Sequence, residues 1–162
     1  MKELAQNCSR AHDAKMYSKL QAAQHQLEGA IASFFLGNWP AAITLAGAAE
    51  EAIPPHEKFQ DFIQIAKSLG PSKHGKSEKE IIQLFNEQRN WLKHNSNGHP
   101  ESMEFFQESA LTMIMRALTR LQARYAPFEP NKHISESIAV FELWVRDHYT
   151  DWINFNSGES KI

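Results

Sequence analysis

The sequence predicts an all-α fold, an up-and-down helical bundle of five to six helices. Apolar residues recur with a period near 3.6 along most of the chain, and no segment alternates with period two for the length of a strand. Helix starts and stops also punctuate the chain at short intervals, as a bundle with short connections requires. The 162 residues fit one domain over 1–162, with a core at about 9–155 and a frayed tail at 156–162.

The first predicted helix runs from about Ser9 to Leu36, with Met16, Leu20, Ala23, Leu27, Ile31 and Phe34 in one stripe. Gly37-Asn38 stops it. Pro40 opens the second, Pro40–Ile53, at a position where a missing N–H costs little. That helix is rich in alanine and carries Gly47, so a neighbouring backbone is expected to approach it closely. Pro54-Pro55 ends it, because proline disfavours α conformation in the residue before it. A shorter helix over about His56–Leu69 follows, then a loop over Gly70–Lys76.

Ser77-x-x-Glu80 is a capping-box pattern that opens the next helix, with Ile81, Leu84, Phe85, Gln88 and Leu92 inward. Asn95-Ser96-Asn97-Gly98 stops it. Pro100 and Glu101 then begin a long helix to about Tyr125, with Phe106, Ala110, Met113, Ala117 and Leu121 inward. Pro127 and Pro130 bracket a turn. The last helix carries Ile134, Ile138, Phe141, Val145, His148, Trp152 and Phe155, whose steps of four and three make a heptad-like seam.

Composition excludes several classes of function. Seventeen Lys plus Arg against nineteen Asp plus Glu give a net charge of −2, which argues against wholesale coating of nucleic acid but leaves room for a local anion site. Cys8 is the single cysteine, so neither an internal disulfide nor a cysteine zinc site forms, and a reducing compartment is expected. The N-terminal residues hold no apolar run, and the greasiest stretch, Ala41–Ala49, is about half the length of a membrane span. A cytoplasmic protein without membrane contact is the expectation.

One motif carries possible chemistry: Arg89-Asn90-Trp91-Leu92-Lys93-His94. His94 falls in the last turn before the stop, where the negative end of the helix dipole favours imidazolium, and histidine is the commonest general acid or base. Arg89 offers a planar, permanently charged fork that matches a phosphate. Positions five apart on an α-helix diverge by about 140°, so the two side chains do not converge on one ligand from a straight helix. Either the helix end unwinds, or a second copy of the motif comes from a partner chain across a twofold axis. The plain alternative stays open: Arg89 in a surface ion pair and His94 capping the helix.

Arg-Asn-x-x-x-His near the end of a bundle helix resembles the signature of the HEPN superfamily, and Leu45-Ala46-Gly47-Ala48-Ala49-Glu50-Glu51 is similar to the Ala-rich, Glu-ending helix that often precedes it there. The resemblance covers roughly Tyr17 to Tyr125. It implies an all-helical, usually dimeric domain, many relatives being metal-independent endoribonucleases of toxin–antitoxin, phage-defence and RNA-processing systems. It carries over onto Arg89, Asn90 and His94 as catalytic residues, and more loosely onto Glu50 and Glu51.

The implied chemistry is attack of the ribose 2′-OH on the adjacent phosphorus. His94 takes that proton or protonates the leaving 5′-oxygen, and the partner subunit's His94 takes the other role. Arg89 stabilises charge on the phosphoryl oxygens, Asn90 orients phosphate or water, and Glu50 or Glu51 holds Arg89. The alternative for the two glutamates is a solvated carboxylate pair.

Lys93, Lys73 and Lys76 are candidate substrate-binding cations. Between Lys67 and His99 six Lys or Arg stand against three Glu, a possible basic rim, although a solvated loop is the favoured reading of Lys73 and Lys76, because loops are usually polar surface. Arg116, Arg120 and Arg124 share a helix face that contacts phosphates only if it lines the cleft; such a row is more often solvated. His94 and His99 match no standard zinc spacing, and no metal or cofactor is implied. His148 reads as a packed histidine, and Trp91, Trp144 and Trp152 as packing residues.

The leading expectation is therefore a homodimer acting on RNA or a nucleotide, with an antitoxin or defence-system protein as a further partner. A non-catalytic nucleotide- or protein-binding module of the same fold is the alternative. A third is a bundle that only assembles, through the last-helix seam.

Overall fold

The computed structural model describes residues 15–54, 77–94, 100–125 and 135–149. Within them lie five helices: α1 (Lys19–Phe35), α2 (Trp39–Ala52), α3 (Glu78–Lys93), α4 (Gln107–Tyr125) and α5 (Glu136–His148), with no strand among the described residues. The protein is an all-α helical bundle. The helix expected over 56–69, the loop at 70–76 with Lys73 and Lys76, and His99 lie outside the described residues. So do Pro127, Pro130, Ile134, Trp152, Phe155 and the tail.

The boundaries follow local chemistry. Helix α1 begins at Lys19, ten residues later than Ser9, because Ser18 and Gln21 form a reciprocal capping box. Met16 consequently stands before the helix, 97% exposed, rather than on its inner stripe. At the other end Gly37 adopts φ 71°, its N–H donates to the Phe34 carbonyl, and that of Asn38 donates to Ser33. This is a Schellman ending, and it needs the left-handed conformation glycine supplies. Asn38 then caps α2 by accepting from the Ala41 N–H at 3.4 Å, and Pro40 sits in the first turn.

Ser77 and Glu80 make the expected box at the start of α3. The long helix α4 starts at Gln107 instead of Pro100. The intervening stretch gives its carbonyls to α3: Pro100 accepts from Trp91 Nε1 at 2.8 Å, and Glu104 accepts from Gln88 Nε2 at 2.6 Å. Phe106 was expected inside and is half exposed, while Phe105 packs on the core and against Trp91. Ser135 caps α5, with acidic Glu136 in its first turn and Arg146 and His148 in its last, a charge order that complements the dipole.

The core is the α1–α2–α4 layer. Leu27, Ala30 and Ile31 of α1 meet Ala42, Ile43 and Ala46 of α2, and these meet Leu111, Ile114 and Leu118 of α4. The missing side chain of Gly29 on α1 makes room for α2: Leu45 Cδ1 lies 3.3 Å from where a Cβ on Gly29 would stand. Helix α5 leans on α1 through Ile138, Phe141 and Val145, the first three described positions of the expected seam. His148 departs from that seam: it is exposed, stacked on Trp144 at 4.6 Å, with Nδ1 2.9 Å from the Trp144 carbonyl oxygen. No helix among the described residues is long and apolar enough to cross a membrane.

Candidate functional site

The charged residues singled out in the sequence meet where the C-terminal end of α2 passes the C-terminal half of α3 and the middle of α4. The adjacent carboxylates Glu50 and Glu51 divide between two clusters.

Glu50 is 2% exposed. Its carboxylate takes Arg116 Nε at 3.1 Å and Arg116 Nη2 at 2.8 Å, a bidentate fork, and Arg120 Nη2 at 3.4 Å. Arg120 Nη1 also donates to the Glu50 carbonyl at 3.1 Å. Arg116 Nη1 reaches Asn86 Oδ1 on α3 at 2.9 Å and Met113 Sδ at 3.2 Å. Burial pulls the Arg116 guanidinium below its ordinary value, the Glu50 carboxylate opposes that, and the nearby charges of Arg89 and Arg120 add to the downward pull. Two members of the expected solvated row are thus structural. Only Arg124, the third, is exposed.

Glu51 points the other way and is more than half exposed. Arg89 and Lys93 stand one helical turn apart on α3, so they share a face, and both approach the same Glu51 oxygen, Oε1. Lys93 Nζ is 2.7 Å from it, and Arg89 Nη2 bonds it as well. The hydrogen bond from Lys93 first, then the charges of Arg89 and Lys93, hold the Glu51 carboxyl below its usual range, against the opposing effect of burial. Of the two glutamates proposed to hold Arg89, Glu51 does so and Glu50 does not.

The path of Arg89 explains Gly47. A Cβ on Gly47 would lie 2.6 Å from Arg89 Nε and 2.9 Å from its Cδ. The glycine was expected to admit a neighbouring backbone; it admits a guanidinium stem instead. The Arg89 side chain is only 11% exposed, and its buried Nε has no hydrogen-bond partner.

Asn90 and His94 are exposed, and His94 is the C-cap of α3 in extended conformation, its N–H donating to the Asn90 carbonyl at 3.0 Å. Arg89 therefore faces α2 while His94 faces outward beyond the helix end. The backbone has left helical conformation at His94, the first of the two alternatives weighed above, so the 140° offset of five helical positions does not govern where its ring lies relative to Arg89.

Beside Arg89 opens a cavity of about 380 Å³ between α3 and α4. Ile43 and Met113 floor it, Gln88, Ser109 and Thr112 line it, and Glu87, Glu108 and Phe106 stand around it. No cluster of three or more metal-ligating side chains occurs among the described residues.

Sequence reasoning missed Asn86 and the partnership of Arg116 with Glu50. The signal was available only as helical spacing: Arg116 and Arg120 are one turn apart and share a face, but nothing local tells which face. No protein-family model, no curated protein and no solved structure matches the chain.

Proposed function

We propose that this protein is a HEPN-like, metal-independent endoribonuclease that acts as a homodimer, cleaving RNA through 2′-OH attack. One observation carries the reading. Arg89 is laid over Gly47 and held by Glu51 at the α2–α3 junction, and His94 stands exposed at the end of the same helix. An immobilised guanidinium is suited to charge developing on a phosphoryl group, because it needs little reorganisation when the charge appears. An exposed imidazole at a helix end is suited to exchanging protons with a large polymer that cannot enter a closed cavity.

Since 2′-OH attack needs one group to take a proton and another to give one, the active arrangement pairs Arg89 and His94 of one chain with the partner's His94 in a shared groove. One imidazole accepts the 2′-OH proton and the other protonates the 5′-oxygen. Asn90, exposed between them in sequence, orients the phosphate, and Lys93 adds charge beside Arg89.

A second reading, a nucleotide- or protein-binding module without turnover, is favoured by the engagement of Arg89 with Glu51, which occupies one terminal nitrogen of the fork. The His94→Ala variant separates the two. His94 is exposed and its side chain supports no core contact, so the variant should keep the helical circular dichroism of the parent. Cleavage of a labelled RNA, assayed with and without EDTA, should fall by about 10²–10⁴. Parent protein that binds the RNA without cutting it selects the binding module.

A further inference from the structure

We propose that Arg89 and Lys93 form a phosphate-oxyanion site that Glu51 fills from within the chain, and that an incoming phosphodiester displaces Glu51 to bind. The inference rests on the reading of Arg89 as the phosphate-facing group, and it adds what occupies that group beforehand and what second cation completes it.

Two cations converge on one carboxylate oxygen, so the positive charge on α3 exceeds what Glu51 supplies. A phosphodiester presents two non-bridging oxygens, one for each cation, where Glu51 has both cations sharing one.

The site survives the departure of Glu51. Arg89 is held by packing as well as charge, because its Cδ and Nε lie across Gly47 and its side chain is only 11% exposed. Glu51 is the mobile half of the pair: its side chain is 56% exposed, and exposed ion pairs hold their partners weakly. The carboxylate therefore swings into water while the guanidinium stays where the ligand needs it. Glu50 takes no part in this exchange, being locked by its fork to Arg116.

The test measures binding of two probes to the full chain by titration calorimetry: inorganic phosphate, and a 2′-deoxy dinucleotide that has a phosphodiester but no nucleophile. Glu51→Gln and Glu51→Ala should each tighten binding by about threefold to tenfold, the range that loss of two weak ion pairs allows. Adding Arg89→Ala or Lys93→Ala should abolish the gain. A larger gain for the dinucleotide identifies the ligand as nucleic acid, and a larger gain for phosphate identifies it as a free anion. Equal or weaker binding by both Glu51 variants overturns the inference, as does a gain that persists without Arg89 and Lys93. The outcome is separable from the nuclease assay. RNA cleavage with no Glu51 effect sinks this inference alone, and a Glu51 effect without cleavage sinks the nuclease reading alone.

Discussion

Among the described side chains, two peripheral helices are fastened to the same core by different means. Helix α5 is held to α1 by rings: Phe34 meets Phe141 edge-on at 5.7 Å and Trp144 at 5.1 Å, and Phe35 meets Trp144 at 5.8 Å. Among the described side chains, α3 is joined to α2, α4 and the stretch before α4 by charge and hydrogen bonds, through Arg89 and Lys93 to Glu51, Asn86 to Arg116, and Gln88 to the Glu104 carbonyl, with Leu92 and Trp91 adding apolar contact. Apolar contact is non-directional and tolerates sliding, whereas a forked guanidinium fixes both distance and angle. The helix that carries the candidate chemistry is the one fixed by direction.

The largest effects should come from breaking each joint at its most buried member. Phe141→Ala removes a fully buried ring, and a loss of about 3–5 kcal/mol is expected. Glu50→Gln should also lose about 3–5 kcal/mol, because it strands the buried Arg116 without its counter-charge. Chemical denaturation gives both values, and a second substitution tells the joints apart. Arg116→Met added to Glu50→Gln should recover much of the loss, since it removes the stranded charge. No second deletion beside Phe141 can refill the space left there. If the double variant is less stable than Glu50→Gln, the Glu50 cluster is not an ion-pair network of the kind described.

A smaller effect is expected at Gly47. Alanine there gains about 1 kcal/mol in helix propensity and loses about 1–3 kcal/mol through the clash with Arg89. The expected net change is a destabilisation of about 1 kcal/mol, together with a shift of the Arg89 side-chain Nε–H resonance as the stem is lifted off α2. Gly29→Ala, where Leu45 Cδ1 at 3.3 Å is the far end of a flexible side chain, should leave that resonance alone. An unmoved Arg89 signal in Gly47→Ala would show that the glycine is not there for the arginine.

The ring-built joint was the more legible of the two in the sequence. Ile138, Phe141 and Val145 stand at heptad-like steps, and burial along a helix follows that period because each apolar residue is read independently of its partner. Capping chemistry was legible too where it was local, as at Ser77 and Glu80; at Ser18 and Gln21 the apolar period from Met16 through Leu20 runs across the box and hides it. The charged joint was half legible. The resemblance implied Glu50 or Glu51 as the holder of Arg89 without choosing between them, and Glu50 with Arg116 was not read at all, since the residues lie 66 positions apart and their meeting depends on how α2 and α4 cross. The start of α4 was misplaced for a related reason: Pro100-Glu101 is a valid helix opening, but Trp91 and Gln88 claim the carbonyls that follow. Tertiary hydrogen bonds decide such cases, and no local pattern encodes them.

The smallest effects concern pH, and there the joints should respond with opposite sign. Glu142 of α5 accepts from Gln122 of α4, and burial pushes its carboxyl above the usual range despite that bond. A raised carboxyl favours the protonated fold, so its contribution is present in acid and is lost as pH rises through the folded value; at neutrality it is a small cost. Glu51 is depressed by Lys93 and Arg89, so its contribution is present at neutrality and is lost as pH falls through the folded value. Thermal melts of the parent, Glu142→Gln and Glu51→Gln between pH 7 and pH 4 test this. At pH 7 Glu142→Gln should be the more stable than the parent and Glu51→Gln the less stable, each by under about 0.5 kcal/mol. Both differences should shrink toward zero in acid, and added salt should shrink only the Glu51 difference, because that pair is open to solvent and the cause at Glu142 is burial. Differences of the same sign at the two positions would mean that α3 and α5 are not held by distinct forces.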